Sequence, residues 1–288
     1  MQGSQSEPGF ARHIAACNGA ILPGNRLAFR IGPGGAQASQ VGWVLPPIAQ
    51  ALASFVETVT DSGGVTLTQP EALPRIAREL ADRGLIRWRG EAFDVRAHPD
   101  GPVLARIDRG ALPVLGIAAQ GVHVNGLVGD PGKPKEMRLW VARRAADKAL
   151  DPGKLDHIVA GGIPAGLGPW ETLSKEAAEE AAIPPELAAQ AREVARLSYA
   201  MERPEGLRRD RLHCFDLYLP EAFTPRPVDG EVAGFELWPL PLVLEAVRDT
   251  DAFKFNVNLV LIDFFLRQGL IAGQAAAELR TALQSGPN

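Results

Sequence analysis

Apolar residues recur along this chain at two periods, every second position in some stretches and every third or fourth in others, and the switches between them mark out strands and helices. In "RLAFRIG", Leu27, Phe29 and Ile31 share one face. That predicts a half-buried strand, with "VGWV" at residues 41–44 as its partner. "PPIAQALASF" reads as a helix. "QPEALPRIARELADRGLI" carries Leu73, Ile76, Ala77 and Leu80 at helical spacing and stops at Gly84, a residue suited to a left-handed cap. "IRWRGEAFDVRA" is expected to form a hairpin turning near Gly90, and "VLARIDR" a further strand. Residues 1–112 are therefore expected to form a small α+β domain.

From "PVLGIAAQGVHVNGLVGD" onward the strand candidates lengthen. "MRLWVARR" follows the turn-forming "DPGKPK" as the other arm of a hairpin. A glycine-rich loop, a helix dense in carboxylates and a second helix at "PPELAAQ" come next, then strands at "VARLSYAMER" and "DRLHCFDLYL". "RPVDGEVAGFELWPL" leads to a last strand, and "LPLVLEAV", "NVNLVLIDFFLRQ" and "AGQAAAELRTALQ" read as helices. Strands on both sides of one central helix predict a mixed sheet clasped between helices over residues 113–288.

The totals narrow the function. A chain of 288 residues with 46% hydrophobic content buries a substantial core, enough for two domains. A net charge of -4 and a pI near 5.8 supply no basic field for nucleic acid or an anionic membrane surface. Cys17 and Cys214 lie too far apart in sequence to suggest a redox or metal-ligand pair, as expected of reduced thiols in a cytosolic protein. The start, "MQGSQSEPGF", lacks the layout of a secretion signal, and no apolar run reaches the about 18 residues of a membrane span. A soluble, cytoplasmic protein with no nucleic-acid or membrane partner is the expectation.

The chemistry concentrates in "AGGIPAGLGPWETLSKEAAEEAAI". Gly168 is placed to cap a helix with Pro169 in its first position and Glu171 in its third. In that helix Glu176, Glu179 and Glu180 project within an arc of about 100°, while Trp170, Leu173, Ala177 and Ala181 cluster on another face. Like charges at such spacings repel. Oxygen donors converging beside glycines, whose carbonyls can approach an ion, suit Mg²⁺ or Mn²⁺. The alternative is a solvated acidic face balanced by Lys175.

This arrangement resembles the Nudix box, with Gly161, Glu176, Ala177, Glu179, Glu180 and Ile183 matching it and three departures: Leu167 for Glu, Lys175 for Arg and Ala182 for Gly. "GVHVNGLV", "LWVARRAADK", "PVDGEVAGFELWPL" and "NLVLIDFFLRQGLI", with "CNGA", "VGWVLP" and "LIRWRGEAFDV" before them, resemble one Nudix subgroup over nearly the whole chain. That subgroup is related to thiamine diphosphate metabolism, is fused to thiamine pyrophosphokinase in some eukaryotes, and shares the three box variants.

The resemblance implies a Nudix α/β/α sandwich behind an N-terminal domain with a role in substrate specificity or dimerisation, a homodimer being compatible with it. It implies metal-dependent hydrolysis of a small-molecule diphosphate by water attack at phosphorus, with thiamine diphosphate or its oxidised analogues as substrate. Glu176, Glu179 and Glu180, with the carbonyl of Gly161 or Gly162, would hold Mg²⁺ or Mn²⁺. The base would be a box glutamate, Glu179 or Glu180, or Glu231 on a later loop; Glu231 also reads as an exposed turn acid. Arg143, Arg144 and Lys148 are the candidate phosphate-binding cations. Arg143 and Arg144 alternate on a strand, so one of them at most reaches the pocket, and Arg144 is favoured. His123 and Asn125 share a face and are candidates for lining the pocket, a hydrogen-bonded core histidine being the alternative.

Two other classes fit parts of the pattern. A Nudix-fold ligand sensor without hydrolysis would use "ALPRIARELADRGLIRWRGEAFDV" as a helix and wing on DNA, but the charges on that helix balance. An enzyme like isopentenyl diphosphate isomerase would need a reactive cysteine, and Cys214 beside His213 is the candidate.

Overall fold

The computed structural model describes residues 9–34 and 37–286, so most of the N-terminal stretch "MQGSQSEPGF" lies outside the described residues. Its first half runs through helix α1 (Ala11–Cys17), strands β1 (Leu27–Ile31) and β2 (Ser39–Val44), and helix α2 (Pro46–Leu52). The hairpin β3 (Thr58–Asp61) and β4 (Gly64–Leu67), helix α3 (Leu73–Asp82), and strands β5 (Ala92–Val95) and β6 (Ala105–Asp108) follow. β1 pairs antiparallel with β2, as the alternation of Leu27, Phe29 and Ile31 predicts, and parallel with β4, in a sheet ordered β2-β1-β4-β3. Leu73, Ile76, Ala77 and Leu80 are wholly buried against this sheet, and Gly84 takes the left-handed conformation just past α3.

The hairpin expected around Gly90 does not form. The backbone N–H groups of Arg89, Gly90 and Glu91 instead donate to the buried Asp108 carboxylate at 2.9, 2.7 and 3.2 Å. That stretch wraps around one acid, and β5 pairs with β6 across a longer loop. The wing suggested by the sequence is therefore missing from its expected place.

The second half contains β7 (Ala118–Val128), β8 (Arg138–Arg144), β9 (Leu155–Asp156), β10 (Val159–Gly162), α4 (Pro169–Ala181) and α5 (Pro185–Ala188). It continues with β11 (Arg192–Arg203), β12 (Gly206–Tyr218), β13 (Val232–Pro239), α6 (Leu240–Asp249), α7 (Val257–Arg267) and α8 (Gly273–Gln284). Its mixed sheet runs β11-β12-β7-β8-β13, with β10 beside β7 and β9 beside β8; β12 and β7 are parallel and the other pairs antiparallel. Val122, Val124, Phe215 and Leu217 form one face under Leu173, Ala177 and Ala181 of α4. Leu212 and Cys214 face the opposite way, into a core built by α6, α7 and α8. Helix α1 joins that second layer through Ile14 and Cys17, so the first helix packs with the last elements of the chain. Among the described residues no helix is long and apolar enough to cross a membrane.

Candidate active site

Local chemistry sets α4. Gly168 is extended, Pro169 occupies the first turn, and the Gly168 N–H donates to Glu171 Oε2 at 3.1 Å. With Leu173, Ala177 and Ala181 buried against the sheet, the helical period carries the three glutamates to one edge of the helix at graded depths. Glu179 is half exposed, Glu176 mostly buried, and Glu180 only 7% exposed.

Glu180 Oε2 accepts the Ala160 N–H at 2.9 Å, a single neutral partner among the described residues for a buried acid. Burial, reinforced by the nearby acids Asp156, Glu176 and Glu231, pushes its carboxyl up to about 8. Burial also raises Glu176, even though Lys175 Nζ stands 3.1 Å from its Oε1. Lys175 bridges on to Glu179 at 2.6 Å, and that hydrogen bond helps hold its ammonium above the ordinary lysine range.

Glu176 has room only because residue 161 is glycine: a Cβ there would stand 2.7 Å from Glu176 Cγ and Cδ. Buried acids with too few donors, pressed against a glycine strand, match the hard-oxygen donor set of a divalent cation. Gly161→Ala is expected to displace Glu176 and weaken Mn²⁺ binding by about tenfold or more, read from the electron paramagnetic resonance signal of free Mn²⁺.

The helix stops at Ala182, whose φ of 53° is left-handed, at the position where the box pattern has glycine. A side chain there costs about 1 kcal/mol. Ala182→Gly is expected to raise the melting temperature by about 2 °C, measured by circular dichroism.

Beside Glu180 lies a small cavity lined also by Glu231, Lys148, Arg144, Asp156 and His157. Glu231 forms an ion pair with Lys148; burial opposes its charge, but Lys148 outweighs it and holds the carboxyl below its ordinary range. Among the described residues, His157 Nε2 is buried without a protein partner.

The structure thus brings Glu180, Glu231 and Lys148 to one cavity, with Glu176 adjoining. Arg144 lines it but is committed elsewhere: Nη1 donates to Asp156 at 2.8 Å, and Nη2 and Nε donate to the carbonyls of Leu150 and Asp151 at 2.9 to 3.2 Å. Arg143 is on the opposite side of β8, exposed, near Glu236 and the Gly153 carbonyl. Gly162 lies under the Phe93 ring, which a Cβ would meet at 2.7 Å.

Two expected pocket residues are placed elsewhere. His123 and Asn125 fall on the α7 face of β7, because Val122 and Val124 between them take the α4 face. His123 Nδ1 is 3.0 Å from His157 Nδ1, and Asn125 donates to Asp216 at 2.8 Å. Burial keeps both imidazoles below their ordinary range, His157 at about 4. The donor atoms of His123, Asp156 and His157 lie within 4.8 Å of one another, the spacing of a metal cluster. Asp156, however, already receives Lys254 at 3.3 Å as well as Arg144, and these supply the positive charge a metal would bring. Burial opposes ionisation of Asp156, but those cations hold its carboxyl far below the usual carboxylate range.

Cys214 is buried on the α7 face, where burial pushes its thiol well up, while His213 faces the other way. That leaves no cysteine at the acidic cleft among the described residues. Sequence reasoning missed Lys254, whose apolar surroundings in "AFKFN" are the one local hint that it is buried.

Residues 121–257 match the NUDIX domain family, and residues 10–119 match a domain of unknown function, DUF4743. The chain is 35% identical to Nudix hydrolase 20, chloroplastic, of Arabidopsis thaliana, over 94% of this chain and 76% of that protein. It is 36% identical to Nudix hydrolase 24, chloroplastic, of the same plant, over 96% of this chain and 78% of that one. The solved Deinococcus radiodurans protein DR0079 aligns with 67% of this chain and 99% of its own at 20% identity and a TM-score of 0.44.

Proposed function

The chain belongs to the Nudix hydrolase family, and from that premise we propose that it hydrolyses an organic diphosphate with Mg²⁺ or Mn²⁺ held by Glu176, Glu179, Glu180 and the backbone of Gly161 or Gly162. The observation that carries this is a buried acid, Glu180, and a partly buried one, Glu176, against a glycine whose side chain would displace Glu176. A divalent ion bound there would neutralise charge developing on the diphosphate oxygens and make the attacking water more acidic. Water oxygen adds to the terminal phosphorus, the bond to the bridging oxygen breaks, and phosphate and an organic monophosphate result.

In this reading Glu231, kept ionised beside Lys148, takes the water's proton. Its acceptance of that proton would free the Lys148 ammonium for the departing phosphate. A metal bound by Glu176 and Glu179 would likewise loosen the hold of Lys175 on both.

The organic group goes to a cavity of about 230 Å³ beside the glycine loop, lined by Phe93, Asp94, Gln120, Ile163, Leu167 and His213. Leu167, which stands where the usual box has glutamate, supplies apolar surface there. This volume lies below the roughly 300 to 1,000 Å³ of ordinary ligand sites, favouring a compact group. Thiamine diphosphate or its oxidised analogues are the substrates favoured by the resemblance of the flanking segments.

The test is a screen of organic diphosphates, including thiamine diphosphate and its oxidised forms, with phosphate detection in Mg²⁺ and in chelator. Phosphate release that chelator stops is expected. A protein that hydrolyses none of them in Mg²⁺ or Mn²⁺ would refute the reading.

A further inference from the structure

The N-terminal half supplies part of the wall of this site. The Ala165 N–H donates to the Ala92 carbonyl at 2.8 Å and the Gly166 N–H to Asp94 Oδ2 at 3.3 Å, so β5 holds the loop that leads into α4. Phe93 covers Gly162. Arg109, just past β6, sets its guanidinium 5.7 Å from the Phe93 ring centroid and 3.8 Å from the point where a Gly162 Cβ would be. Glu231, which lines the acidic cavity, has its carboxyl lowered, against the effect of burial, chiefly by Lys148 and in smaller part by the Arg109 charge.

Four of the other cations near the cleft are occupied or turned away, and Arg106, beside Gly166, pairs with Asp94. Arg144 spends its donors on Asp156 and two carbonyls, Arg143 is turned away, and Lys148 and Lys175 neutralise carboxylates. Arg109 is 52% exposed and makes one ion pair, Nη1 to Glu91 at 2.9 Å. Among the described residues its Nε and Nη2 donate to no other group, leaving an edge of the guanidinium fork for a doubly bonded anion. The aromatic face beneath it limits where that fork can point.

We propose that Arg109 is a phosphate-binding residue of this enzyme, brought to the Gly162 rim of the cleft by the N-terminal half and steadied there by Phe93. It makes the N-terminal half a direct contributor to diphosphate binding. The inference rests on the reading that a diphosphate occupies the cleft.

Imidodiphosphate, which does not turn over, separates the two. Calorimetric titration of the full chain with imidodiphosphate in Mg²⁺ is expected to show binding that Arg109→Gln weakens by about 10- to 100-fold, Arg109→Lys by less, and the distant charge-matched control Arg138→Gln by under about twofold. Melting temperatures of all three should stay near that of the unsubstituted protein, because both arginines are exposed. Binding by Arg109→Gln within about twofold of the unsubstituted protein, an equal loss in Arg138→Gln, or no binding by the unsubstituted protein would each overturn the inference. Imidodiphosphate binding without hydrolysis of any organic diphosphate would sink the hydrolytic reading and leave the role of Arg109 standing.

Discussion

Glu180→Gln is expected to lower metal-dependent phosphate release by on the order of a thousandfold, while making the metal-free protein more stable at neutral pH. Both effects come from one buried oxygen. The carboxylate is the donor a divalent ion would require, yet without that ion it sits among acids with only a backbone N–H for company. Its folded pKa, about 8, lies above the ordinary 4.5. Between those values the folded state holds a proton that the unfolded state has released, so metal-free stability falls as pH rises from about 4.5 and levels off above about 8.

Gln keeps an acceptor for the Ala160 N–H and carries no charge. Its advantage should be under about 1 kcal/mol at pH 5 and grow to about 3 to 4 kcal/mol by pH 7 to 8. Urea unfolding in chelator at both ends of this range would measure it, and added Mg²⁺ should restore the unsubstituted protein selectively. Activity within tenfold of the unsubstituted protein would remove Glu180 from the metal site.

Arg144→Ala is expected to cost about 3 to 5 kcal/mol of folding stability. The guanidinium satisfies Asp156 and ties down the Leu150 and Asp151 carbonyls, and its removal would leave Asp156 buried with Lys254 as its remaining cation. The sequence favours a different role, direct contact with substrate phosphate. The two roles separate cleanly: a structural arginine lowers the urea midpoint whether or not substrate is present, whereas a substrate contact raises KM at unchanged stability. Arg144→Lys should recover only part of the loss, since an ammonium cannot reach the carboxylate and both carbonyls with a planar fork. An unchanged unfolding midpoint with a raised KM would return Arg144 to the substrate.

These two residues show where the sequence is legible. The depth gradient of the glutamates follows from which face of α4 is apolar, and that pattern lies within the helix itself. The state of Glu180 does not, because its surroundings come from Ala160 on β10, Asp156 on β9 and Glu231 ahead of β13. The failed hairpin at Gly90 has the same origin. Its glycine is a sound local turn signal, but the Asp108 carboxylate, 17 to 19 residues away, captures the backbone donors a hairpin would have used.

By itself the sequence determined the period of each long element, the cap and register of α4, the alternation of Arg143 and Arg144, and the family. All of these are set by contacts within a few turns or by the order of residues along a motif. Tertiary structure alone decided that His123 turns to Asn256, 133 residues away, that Arg144 is spent on the protein's own acid, and that Phe93 and Arg109 reach the glycine strand. The physical reason is that a charge or a hydrogen-bond donor has no fixed role until its partner is known, and here the partners come from elements far away in the chain.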